Sequence, residues 1–165
     1  MLRLVRPEDL NPVFRIYMHE QNVPYLAYDP LPLVAFKPIF DDLMKGESFF
    51  VWDAGSQIKG FCGARRLLGR MAHTAHLGPL AIIAEEQGTG LAKTMLEAVI
   101  DRLQQQGVTR VELMVSGDNL RALAFYRKLG FQHEGTMRAS YKRSHEQRYI
   151  NDFFLAKLLA PLPTD

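Results

Sequence analysis

The sequence predicts one α/β (α+β) domain, with a mixed central sheet that contains a parallel strand pair and is flanked by helices. Three observations lead there. A chain of 165 residues suits a single domain, here 1–165, with enough material for a sizeable core. The stretch from 73 to 129 reads strand, helix, strand, helix, and that order requires parallel strands joined by a crossover. A hairpin pattern precedes this unit and two further strand patterns follow it.

Composition narrows the function classes. Apolar residues make up 47% and charged residues 23%, as in ordinary globular chains. A balance of 20 basic and 18 acidic side chains leaves +2, which gives no support to a nucleic-acid binder. The single cysteine, Cys62, excludes an internal disulfide framework and a cysteine-based zinc site. Charges at Arg3, Arg6, Glu8 and Asp9 leave no apolar core for a signal peptide, and no run approaches the length of a membrane span. The expectation is a soluble, cytoplasmic protein with neither metal nor membrane partner.

In chain order, Leu10, Val13, Phe14 and Tyr17 share one helical face, so a first helix is expected within 6–21. Pro24, Pro30, Pro32 and Pro38 then interrupt regular structure, with Tyr25, Tyr28 and Phe36 between them. That stretch is either a surface crossing or an aromatic pocket wall. "FKPIFDDLMKG" is expected as a second helix ending at Gly46. "SFFVWDAGSQIKGFCGARRL" reads as a hairpin turning at Ala54-Gly55-Ser56-Gln57. "AHTAHLGPLAII" is a long strand with Gly78-Pro79 inside it, and a proline that cannot donate to the ladder should make it bulge or splay. Ala92, Met95, Leu96, Val99 and Leu103 mark the next helix, closed by Gly107. Val111, Leu113 and Val115 alternate on one face of the following strand. The helix "NLRALAFYRKLGF" comes next, then two strands forming an antiparallel pair at the end.

Two places carry chemistry. "QGTGLA", 87–92, lies at a strand-to-helix junction, where two glycines let amides converge at the positive end of a helix dipole. A phosphate would fit there, and so would a tight turn with no ligand. The second is the helix after 118. Asp118 or Asn119 can cap it, Gly130 ends it, and Ala122, Phe125, Tyr126 and Leu129 fall on one face, with Arg121 and Lys128 on the solvent side. By periodicity alone Tyr126 is a tyrosine at the edge of the core. The two sites are about 30 residues apart, and adjacent parallel strands would put both helix starts at one sheet edge, where ligands of open α/β sheets bind.

This arrangement resembles the GNAT superfamily of acetyl-CoA-dependent N-acetyltransferases. The family's pyrophosphate motif is met by Gln87, Gly90 and Ala92, and its later motif by Asn119, Ala122, Tyr126, Gly130 and Phe131. The resemblance is closest from about 73 to the end, where the tail also resembles a bacterial branch acting on small amines and amino acids. It implies acetyl-CoA as co-substrate. Pantetheine would pair with Leu80, Ala81 and Ile82, and amides there would meet the thioester oxygen. The amides of Gln87, Gly88, Thr89, Gly90, Leu91, Ala92 and Lys93 would hold the pyrophosphate, and Asn119 would touch the pantetheine arm. Tyr126 would be the general acid. Where family members often carry a strand glutamate as base, this chain has His73 and His76, and His76 and Glu112 are the two candidates.

The implied acceptor is a small-molecule amine. A protein or peptide acetyltransferase and a silent CoA-binding sensor are the alternatives, and a homodimer is compatible with all three. Arg138, Lys142, Arg143 and Arg148 are expected as a solvated turn or as a contact to an anion. Glu85 and Glu86 are expected to point outwards, and Cys62 to sit in the core.

Overall fold

The computed structural model describes residues 1–55 and 57–160. Seven strands form one sheet: β1 (Leu2–Leu4), β2 (Phe49–Asp53), β3 (Ile58–Arg66), β4 (Thr74–Ile82), β5 (Arg110–Ser116), β6 (Gln132–Tyr141) and β7 (Ile150–Leu158). Their spatial order is β1-β2-β3-β4-β5-β7-β6. Four helices cover the sheet: α1 (Leu10–Tyr17), α2 (Leu33–Met44), α3 (Leu91–Gln105) and α4 (Leu120–Lys128). Every neighbouring strand pair is antiparallel except β4 and β5, the expected parallel pair.

The sheet is filled on both faces. Cys62, Ala75, Leu77, Val111, Leu113 and Val115 pack towards α3 and α4, together with Met95, Leu96 and Val99. Phe49, Val51, Phe61 and Ala81 pack towards α1 and α2, where the Tyr17 ring stacks on Phe61 at 5.7 Å and meets Phe36 at a tilt at 5.1 Å. One-residue alternation along β3 (Phe61 to one face, Cys62 to the other) is what lets a single strand serve both cores.

Three local departures from the sequence reading have physical causes. β1 is too short to show a period and carries a charge at its centre; Arg3 is held there by Asp9 and Asp53, both at 2.7 Å. α2 begins at Leu33, ahead of the expected Phe36, and Pro38 lies inside it. Pro38 deprives the Val34 carbonyl of its donor, and Val34 is 81% exposed, so water can take that place. β7 inserts between β5 and β6, which a local pattern cannot specify. The hairpin turn is closed by Ala54 N donating to Gln57 O at 3.0 Å, while Ser56 lies outside the described residues, as do 161–165 of the expected domain.

The expected disturbance at Gly78-Pro79 is present. The β3–β4 register slips between Cys62 and Ala64, opposite this cis peptide. Gly63 faces the slip so closely that a Cβ there would stand 2.3 Å from the Gly78 carbonyl oxygen. On the other edge of β4, pairing with β5 covers only Thr74↔Arg110, Ala75↔Val111 and His76↔Glu112. Beyond His76 the two strands part.

Candidate active site

The parting of β4 from β5 opens a cleft of about 1370 Å³, walled by 76–82 of β4, 113–116 of β5, the start of α3, one side of α4 and the segments around 17–30 and 141–145. Backbone direction along β4 follows from one bond. Ile83 N donates to Lys59 O on β3 at 2.9 Å, so alternation turns Ala81 towards β3, and Leu80 and Ile82 towards the cleft. Of the three strand residues singled out by the sequence, Leu80 and Ile82 thus offer backbone groups to a ligand and Ala81 does not. The Ile82 carbonyl is already taken by Asn22 Nδ2 at 3.0 Å.

At the α3 end, Gly88 and Gly90 have φ of +86° and +97°, a region open to glycine. Gln87 N and Thr89 N are used inside the turn, bonding Ala84 O and Glu86 O. Leu91 N reaches Thr89 Oγ1 at 3.4 Å. Among the described residues the amides of Gly88, Gly90, Ala92 and Lys93 keep no partner, so four of the seven amides of 87–93 are open to a ligand. Glu86 does not point outwards. Its carboxylate is bonded by Lys59 and Thr89, and those bonds hold its pKa below the usual range. The loop therefore meets an anion with its own charge already paired. The Gln87 side chain bridges Asn22 and Arg121, and Arg121 lines the cleft with Lys93 and Lys128 instead of facing bulk solvent alone.

Across the cleft, Asn119 caps α4 by accepting from Ala122 N at 3.0 Å, which leaves its amide nitrogen for a ligand. Gly130, at φ +85°, ends the helix, and Phe131 N returns to Tyr126 O. Tyr126 is half-buried and lines the cleft, edge-on to Phe125 and Phe131 at 5.1 and 5.4 Å. Burial, reinforced by nearby Cys62, pushes its phenol well above the usual value, so the hydroxyl keeps its proton. Cys62 itself is fully buried, with a thiol pushed up to about 12, and is core.

His76 and Glu112 are register partners on the sheet face opposite α3, Nδ1 to Oε1 3.8 Å apart. Only His76 lines the cleft. Glu112 is buried and its other oxygen lies 3.4 Å from Arg110, which in turn pairs with Glu134 at 2.6 Å. Burial lowers the His76 pKa, Glu112 opposes that shift and Arg65 adds to it. His76 is thus neutral at pH 7 with a lone pair available.

Sequence reasoning missed Asn22, whose partners on α1, β4 and the 84–90 loop are scattered along the chain. It also misplaced Arg143, which is 7% exposed and bonded on all sides, Asp118 and Glu146 among its partners. No periodicity marks either residue.

A split parallel strand pair, with free helix-start amides on one side and a protonated tyrosine on the other, leaves room for an extended ligand with an anionic end. The chain belongs to the acetyltransferase (GNAT) family, whose sequence pattern matches residues 10–131, more than half of it. Among curated relatives, ribosomal-protein-bS18-alanine N-acetyltransferase of Escherichia coli is 39% identical over 67 residues, 41% of this chain and 45% of that protein. Mycothiol acetyltransferase of Saccharomonospora viridis is 48% identical over 48 residues, 29% of this chain and 16% of that protein. The chain thus spans less than half the length of these relatives. In fold it is similar to a phosphinothricin acetyltransferase of Sinorhizobium meliloti in complex with AcCoA, with TM-score 0.77 and 20% identity, covering 100% of this chain and 93% of that one. A ribosomal-protein-alanine N-acetyltransferase of Brucella melitensis gives TM-score 0.78 at 18% identity, covering 96% and 99%.

Proposed function

We propose that the protein is an acetyl-CoA-dependent N-acetyltransferase acting on the primary amine of a small molecule such as an amino acid. The observation that carries this reading is the cleft where β4 and β5 part, which joins the free amides of α3 to Tyr126. Acetyl-CoA supplies an activated acetyl thioester, and a cleft of about 1370 Å³ with an amide-rich end and a strand edge suits so long a ligand.

The chain's own groups then divide the work. The amides of Gly88, Gly90, Ala92 and Lys93 bind the pyrophosphate, with the cations of Lys93 and Arg121 close by. Leu80 and Ile82 pair with the pantetheine arm, and Asn119 meets the arm from α4. Neutral His76 accepts the proton that the attacking amine must lose. The carbon–sulfur bond breaks as the nitrogen–carbon bond forms, and Tyr126 gives its proton to the sulfur. Burial leaves the Tyr126 phenol a weaker acid than its reference pKa near 10, and a thiol has a reference near 8.5, so the proton is shared with sulfur only as negative charge builds there in the transition state. His76 is preferred to Glu112 as the base because it alone stands on the cleft wall.

An amine on a protein is the second reading, favoured by the name of the Escherichia coli relative. CoA release from acetyl-CoA across amino acids, polyamines, aminoglycosides and peptides tests the proposal. Turnover of a small amine supports it. Binding of acetyl-CoA without turnover of any amine would instead make the chain a sensor.

A further inference from the structure

Two segments of the cleft wall are distant in sequence, one at 22–30 after α1 and one at Tyr141, Lys142, Arg143 and His145, where β6 runs into its connection to β7. They do not stand apart as the banks of an open groove. Arg143 Nε donates to the Pro24 carbonyl at 2.8 Å, and its guanidinium lies 5.5 Å from the ring centre of Tyr25. Ser144 N reaches Asp29 Oδ1 at 3.5 Å. The remaining guanidinium nitrogens donate to Asp118 at 2.9 and 3.2 Å, to Glu146 at 2.8 Å and to the Tyr141 hydroxyl at 3.0 Å. Tyr141 is in turn bonded to Ser116, at the end of β5 where the split opens. One buried side chain thus joins the segment after α1, the β6–β7 connection and the turn that starts α4.

With two carboxylates around it, the guanidinium has no charge left to offer an anionic acceptor. Its role is geometric. We infer that Arg143 is a specificity-determining residue: it braces the two walls together, so that an amine must enter end-on, on a compact molecule or a free chain end. This rests on the acetyltransferase reading. A lysine in the middle of a polypeptide brings chain on both sides, and that chain would have to lie between the braced segments. Making room means breaking the Arg143–Pro24 bond and the Tyr25 stack, which strands buried donors and is strongly opposed. A lysine could not act as the brace, because only the forked guanidinium has donors directed at so many acceptors at once.

The test compares wild type, Arg143→Met and Arg143→Lys on two acceptors, a free amino-acid-sized amine and a long peptide with blocked ends and a central lysine. Wild type is expected to acetylate the compact amine and not the peptide. Either variant should shift the ratio of kcat/KM towards the peptide by on the order of tenfold, with the acetyl-CoA dissociation constant unchanged. If Arg143→Met fails to fold, Arg143→Lys keeps the charge and carries the measurement. A merely structural role would lower both rates together and leave the ratio where it was, which overturns the inference. So does a wild type that uses the central lysine as well as the compact amine. No turnover of any amine by a folded, acetyl-CoA-binding wild type would sink the transferase reading itself, and this inference with it.

Discussion

Glu112→Gln removes one negative charge 3.8 Å from His76 Nδ1 while keeping the shape of the side chain. Coulomb's law puts the interaction of two unit charges at that distance between about 1 kcal/mol in water and about 4 kcal/mol at an effective dielectric of 20. The lower end applies, because the His76 side chain is 28% exposed and Arg110 already shares the Glu112 carboxylate. Loss of the carboxylate should therefore lower the His76 pKa further, through an interaction worth about 1 kcal/mol. The sign is definite. Glu112 favours imidazolium, so its removal extends the neutral base to lower pH, and the acid limb of kcat/KM moves down. The plateau should fall modestly, since a less basic imidazole is a poorer proton acceptor. The assay is CoA release between pH 5 and 9 for wild type, Glu112→Gln and His76→Gln. Superimposable limbs for wild type and Glu112→Gln would refute the coupling. A limb that survives in His76→Gln, or that tracks the pKa of whichever amine is supplied, would refute His76 as the base.

Three further outcomes are expected. Tyr126→Phe should keep acetyl-CoA affinity and lose about 10²- to 10⁴-fold in kcat, read by binding titration beside steady-state rates; an unchanged kcat would leave the hydroxyl a core edge. Gly63→Ala would place a methyl 2.3 Å from the Gly78 carbonyl oxygen, so the β3–β4 slip must shift and move the strand that walls the cleft; a stability loss of about 1–3 kcal/mol with weaker acetyl-CoA binding should appear in denaturant melts and titrations. The carboxyls of Asp118 and Glu146 are held below their usual range, chiefly by hydrogen bonds from Arg143. Their contribution is present above the ordinary carboxylate range and is lost as pH falls through the lowered values. Melting temperature should therefore fall less steeply on acidification in Arg143→Met than in wild type; equal slopes would show that the brace adds nothing to stability.

Whatever depends on near neighbours was legible along the chain. Helical spacing around Met95 and Phe125, the glycines at 88, 90 and 130, and the Asn119 cap are local rules, and each stands where it was read. The proline in β4 announced a break in the ladder, and two helix starts about 30 residues apart announced a shared sheet edge. Which groups are free follows from long-range packing. Whether an amide at 87–93 is open depends on the turn's own bonds, and whether His76 or Glu112 faces the cleft depends on how far β5 follows β4. The place of β7 between β5 and β6 is a long-range pairing. Arg143 makes the sharpest contrast. In sequence it is one cation in a basic stretch, and in the fold it is the buried partner of a carbonyl 119 residues away. No local pattern encodes a bond whose two ends meet only after the sheet has assembled.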